Sequence, residues 1–169
     1  MTEWERLQNG LIYNDFDEDL FQRRVNAKKL FRAYNKTEDE EVELRNKIMQ
    51  QLFKKVGKNV WIEPDFKCEF GKNITIEDDV YINFGCVILD CAEVTIGEHT
   101  LLGPNIGLYP VNHSTDVEER INGGCYGKPI HIVTKDIPSN VIAVGNPCRV
   151  IREITDEDKT DYLERMGMK

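Results

Sequence analysis

At 169 residues the chain is long enough for one domain with a real core and a small appendage. It is 40% hydrophobic and 31% charged, as ordinary soluble proteins are, and its net charge of −8 excludes a general nucleic-acid binder, which needs a positive face for phosphates. The opening Met1-Thr2-Glu3-Trp4-Glu5-Arg6-Leu7 has early acids and no apolar core of a signal peptide, and no apolar run approaches the ~18 residues of a membrane span. Five cysteines (Cys68, Cys86, Cys91, Cys125, Cys148) without a C-x-x-C pair read as reduced packing thiols of a cytoplasmic protein, with no metal site.

Residues 1–55 predict a helical N-terminal region. Asp17 and Asp19 open a segment whose apolar residues Leu20, Phe21, Val25, Leu30, Phe31 and Tyr34 share one face at helical spacing. Thr37 and Glu40 have the spacing of a capping box for a second helix carrying Leu44, Ile48 and Leu52, with Gly57 as its stop. Both stripes are expected to pack against the next domain.

From Val56 onward the period changes. Apolar residues recur every sixth position at Val56, Ile62, Cys68, then Ile76, Ile82, Ile88, then Ile96, Leu102, Leu108. The rows VGKNVWIEPDFKCEFGKNIT, IEDDVYINFGCVILDCAEVT and IGEHTLLGPNIGLYP align with matched residue types, so the unit is a coil of three hexads. Helices cannot keep a strict six-residue period. Short strands separated by turns can, with the aliphatic residue inward and coils stacked by parallel pairing. The chain is therefore expected to be mainly β, a left-handed parallel β-helix over residues 56–154. Residues 109–124 (YPVNHSTDVEERINGG) are polar, free of the hexad, and expected to form an excursion toward the functional surface. Residues 155–169 are expected to be a C-terminal tail, helical in character.

The motifs INFGCVILD, NHSTDVEER and VTKDIPSNVIAVGNPCRVIREI, with the helical N-terminal region, resemble the hexapeptide-repeat sugar O-acetyltransferases of the maltose and galactoside type. The resemblance implies a homotrimer with active sites between subunits, and transfer of acetyl from acetyl-CoA to a sugar hydroxyl without a covalent enzyme intermediate. It implies no metal, no nucleic acid and no membrane. It makes His113 the general base. Asp15, Tyr81, Asn83 and Asp90 become acceptor-site residues. Asn83, Thr134, Lys135, Arg149 and Arg152 match positions that touch CoA, where Lys and Arg suit its phosphates. His99 is expected at a turn, in the slot of Asn59 and Asp79, and His131 on an outward face. Two departures stand out: Cys91 where some relatives carry a second Asp, and Cys125 where they carry Met.

The largest departure comes directly after Ile132. Relatives continue with further hexads, whereas here Val133-Thr134-Lys135-Asp136 comes at once. The expectation is an internal deletion of about 29 residues, roughly 7–8 Å of solenoid height at ~4.8 Å per strand, taken from the wall of the CoA channel. Two other functions compete with the acetyltransferase: an impaired trimeric β-helix that binds ligand or serves assembly, and a metalloenzyme with histidines bridging subunits. The second needs clustered ligands, which the separated contexts of His99, His113 and His131 do not supply.

Overall fold

Three helices precede the coils. In the computed structural model, which describes residues 1–132, 141–144, 149–153 and 155, they are α1 (Glu3–Gln8), α2 (Glu18–Tyr34) and α3 (Val42–Leu52). Asp17 caps α2 by accepting from Leu20 N at 3.2 Å, satisfying one of the unpaired first-turn donors. Leu20, Ala27, Phe31 and Tyr34 turn inward, while Phe21 points to solvent. The capping box expected at Thr37 and Glu40 does not form. The Thr37 hydroxyl donates instead to Tyr34 O at the end of α2, and α3 starts at Val42 behind Glu41, which makes no side-chain cap. A reciprocal capping box is found at Thr2 and Glu5 on α1.

The hexads form three stacked coils. The first holds β2 (Lys55–Val56), β3 (Trp61–Ile62) and β4 (Lys67–Cys68). The second holds β5 (Ile74–Ile76), β6 (Tyr81–Ile82) and β7 (Val87–Ile88), and the third β8 (Val94–Ile96), β9 (Leu101–Leu102) and β10 (Gly107–Leu108). Strands pair in parallel only with their equivalents one coil away, giving the sheets β3-β6-β9, β4-β7-β10 and β2-β5-β8, the last extended by β13 (Ile130–Ile132). The register matches Trp61 with Tyr81 and Leu101, and Ile76 with Ile96 and Ile132. Ile62, Ile76, Ile82, Ile88 and Ile96 are all but fully buried. Stacking like on like is what lets each coil bury the aliphatic residues of the next.

Two corners per coil require a left-handed backbone. Asn59, Asp79 and His99 fill one at φ 52°, 57° and 59°; Asp65, Gly85 and Asn105 fill another at 62°, 70° and 57°. Asn, Asp and His tolerate this region better than other side chains, which accounts for His99 as a corner residue.

The helices close the first end of the stack. Ile62 O, facing away from the second coil, accepts from Tyr34 Oη and Arg45 Nη2, both at 2.6 Å. Phe66 O accepts from Asn35 Nδ2 at 2.8 Å. Arg45 is 2% exposed, lies over the Trp61 ring at 4.2 Å and pairs with Asp39. Buried carbonyls at a sheet edge need such partners. At the other end burial declines: Leu102 is 8% and Ile106 38% exposed, and Leu108 only partly buried. Among the described residues β9 and β10 each have one neighbouring strand.

Residues 109–124, expected as a loop excursion from the solenoid, contain β11 (Asn112–His113) and α4 (Val117–Ile121), and β12 (Gly124–Tyr126) comes next. These join β1 (Tyr13–Asn14) in an antiparallel sheet of order β1-β12-β11. Met1–Ile132 form one unit. The antiparallel hairpin β14 (Val141–Val144) and β15 (Arg149–Glu153) belongs to a second, Val133–Lys169. Of the expected tail, residues 155–169, all but Thr155 lie outside the described residues. No helix among the described residues is long and apolar enough to cross a membrane.

Candidate active site

The small sheet places His113. Its strand β11 lies at the sheet's edge, paired with β12 so that His113 stands opposite Cys125 and Asn112 opposite Tyr126. The imidazole is exposed, and its Nδ1 lies 3.0 Å from Cys125 Sγ. The turn before α4 is tied down locally: Ser114 Oγ donates to Glu119 Oε2 at 2.5 Å, and Asp116 caps α4 by accepting from Glu119 N at 2.9 Å.

Asp15 reaches the same sheet from the other side. Its backbone N donates to Gly123 O at 2.8 Å, just before β12. Its carboxylate pairs with Arg24 of α2, which also holds Glu69 at 2.5 Å and donates to Asp15 O at 3.0 Å. Burial works against the Arg24 charge, but the two carboxylates more than offset it and raise its pKa. Beneath this pair lies a second apolar cluster of Leu7, Tyr13, Leu20, Phe70, Cys91 and Cys125. Burial pushes the Cys91 thiol up to about 12 and the Cys125 thiol up to about 11, so both stay neutral. Tyr13 is 1% exposed with no nitrogen or oxygen partner for its hydroxyl; burial raises its pKa strongly, with Cys91 the polar group that acts on it most.

Tyr81 and Asn83 stand elsewhere. Both belong to the β3-β6-β9 face, Tyr81 donating to Glu63 Oε1 at 2.9 Å and Asn83 Oδ1 accepting from Phe84 N at 2.8 Å. The bond to Glu63 raises the Tyr81 phenol. Among the described residues no hydrogen bond or ion pair joins Tyr81 or Asn83 to His113 or Asp15.

Asp90 requires a correction. It was expected to meet an acceptor, but it is 0% exposed and its oxygens accept backbone N–H from Glu69 (3.0 Å), Phe70 (2.8 Å) and Asn73 (3.2 Å). Asn73 Nδ2 donates back to Asp90 O at 2.7 Å. Burial raises its carboxyl despite these donors. It is a corner anchor, with no oxygen left for a ligand.

Of the expected CoA-contacting residues, Thr134 and Lys135 lie outside the described residues, and Arg149 is described only as part of β15. Arg152 is exposed and donates to Glu153 O at 2.9 Å. Among the described residues no group of three metal-ligating side chains gathers. His99 sits at a corner, and His131 is exposed on β13 opposite Thr95. Arg24, Tyr13 and Glu69 were missed by sequence reasoning. The departures at Cys91 and Cys125 were the local signals that this region is unusual.

Comparison with known proteins gives a consistent set of matches. Residues 6–57 match the maltose acetyltransferase hexapeptide capping motif. The chain is 36% identical to the galactoside O-acetyltransferase of Escherichia coli K12 over 193 aligned positions, covering 97% of this chain and 95% of that one. A crystal structure of a maltose O-acetyltransferase from Clostridium difficile 630 superposes with a TM-score of 0.80 at 36% identity, over 92% of this chain and 99% of the other. A galactoside acetyltransferase in complex with coenzyme A gives 0.78 at 37% identity, over 96% of each chain.

Proposed function

The chain belongs to the hexapeptide-repeat sugar O-acetyltransferase family of the galactoside and maltose enzymes, and on that premise we propose that it moves acetyl from acetyl-CoA to a sugar hydroxyl with His113 as general base. The observation that carries this reading is the exposed His113 imidazole, anchored at one ring nitrogen by Cys125 and open at the other. In the proposed step the acceptor O–H gives its proton to His113 as its oxygen bonds to the thioester carbonyl carbon. Collapse of the tetrahedral adduct breaks the C–S bond, and the imidazolium returns the proton to the departing CoA thiolate. No acyl-enzyme forms. Asp15 orients the acceptor beside Arg24, while Tyr81 and Asn83 of a neighbouring subunit complete the site, Asn83 donating to the carbonyl oxygen. This arrangement calls for a trimer of left-handed solenoids. What supports it is that, among the described residues, no hydrogen bond or ion pair joins Tyr81 or Asn83 to His113 or Asp15 within one chain.

The assay is thiol release from acetyl-CoA with a panel of glucosides, galactosides and maltose, in wild type and His113→Ala. Sugar-dependent release that His113→Ala abolishes is the expected result; release undiminished in the variant overturns the base assignment.

A second reading is favoured by one observation. The alignment to the E. coli enzyme spans 193 positions while 97% of 169 residues is about 164, so about 29 positions have no residue here. With β9 and β10 each paired on one side only among the described residues, this supports a deletion in the CoA-channel coils and an impaired trimer that still binds acceptor. Calorimetric titration separates the readings: CoA binding weakened far more than sugar binding favours impairment. Family-like CoA affinity removes it.

A further inference from the structure

The contact between His113 and Cys125 bears on which proton the imidazole carries, an inference that rests on the reading of His113 as base. The register across β1, β12 and β11 sets Tyr13, Cys125 and His113 directly opposite one another. Cross-strand partners leave a sheet on the same face, so hydroxyl, thiol and imidazole stand in one row. The two ends of the row differ: Tyr13 and Cys125 are each 1% exposed, within the cluster of Leu7, Leu20, Phe70 and Cys91, whereas His113 is exposed. Cys125 Sγ lies 3.0 Å from Nδ1, so that nitrogen faces the buried side and Nε2 is the nitrogen left for a substrate.

A neutral imidazole carries its proton on one nitrogen or the other, and the partner of one decides the state of its fellow. We propose that Cys125 is a positioning residue for His113, its sulfur accepting the Nδ1–H and so leaving the Nε2 lone pair free to take the acceptor's proton. The thiol suits this role by remaining uncharged. Burial first, and then Asp15, push it up to about 11, with Arg24 opposing weakly. It therefore neither takes the imidazole proton nor serves as a nucleophile in its own right. Glu119, the nearby carboxylate of α4, is occupied by the Ser114 hydroxyl.

The test uses the full chain and reads the ring directly. In wild type, nitrogen-15 NMR of His113 should show a protonated Nδ1 and an unprotonated Nε2. Cys125→Ala should return the ring to the mixture of a free imidazole and lower kcat by about tenfold, as loss of an orienting partner commonly does, with acetyl-CoA KM unchanged. Cys125→Ser, which keeps an acceptor, should restore the tautomer and most of kcat. A wild-type ring protonated at Nε2 overturns the proposal. So does a Cys125→Ala variant that keeps the tautomer, whether its turnover is intact or is lost with a lowered melting temperature. Full activity in His113→Ala would instead remove the base reading, while the tautomer measurement still judges Cys125.

Discussion

The coils and the small sheet beside them are built on opposite plans. In the coils the inward and corner positions have counterparts 20 positions away doing the same job: Asn59 Nδ2 bonds to Asp79 Oδ1 at 2.9 Å, and Trp61 stands over Tyr81 over Leu101. In the small sheet nothing repeats. Tyr13 comes from a distant part of the chain to meet Cys125, which also faces His113, and each contact occurs once. Redundancy suits a scaffold, because a defect in one coil is shared by its neighbours. Single-use contacts suit a reactive group, because its surroundings can change without disturbing a ladder.

That contrast is open to attack by substitution. The largest effect belongs to the small sheet: His113→Ala should lower kcat by roughly 10²–10⁴ with an unchanged melting temperature, since the side chain is exposed. Equal losses of turnover and stability would mean that the sheet is scaffold after all. Next comes the coil core, where Ile82→Ala should cost about 2–5 kcal/mol in denaturant unfolding, Ile82 being 0% exposed. A cost under about 1 kcal/mol would show that neighbouring coils collapse into the gap. Asp90→Asn should cost about 1–3 kcal/mol by leaving a buried N–H without its acceptor. Its pH dependence has a definite sign. Burial raises the Asp90 carboxyl in the fold, so its contribution is full below the unfolded pKa of about 3.9 and is lost as pH rises through the folded value. The stability gap between wild type and Asp90→Asn should therefore narrow as pH rises above about 4; a widening gap would mean that the three N–H donors outweigh burial. The smallest change is Ile121→Ser on α4, 68% exposed, expected within about 0.5 kcal/mol of wild type.

The solenoid was legible in the sequence because its rule is periodic and local. Six-residue spacing names the inward residues, and the 20-residue repeat alone places His99 over Asp79. The small sheet was not legible. Tyr13 and Asn14 are too few for a strand signal, and their partners Cys125 and Gly124 are more than a hundred positions away. Asp90 misled for a related reason: a carboxylate reads alike whether it faces a ligand or three backbone donors, and only burial separates the two. Thr37 misled because its hydroxyl had a nearer use, at the carbonyl end of α2, than the start of the next helix.

The helical cap on the first coil has a consequence for the order of events during synthesis. A ribosome delivers Tyr34, Asn35 and Arg45 before it delivers Ile62 and Phe66, whose carbonyls those side chains accommodate. The first coil thus emerges onto a finished surface, and each later one meets a strand ladder already waiting for it. Nascent chains halted after Phe66 should already protect the cap from protease, while those halted before α3 should not. The solenoid would then grow as a one-way process whose starting point is written into its helices.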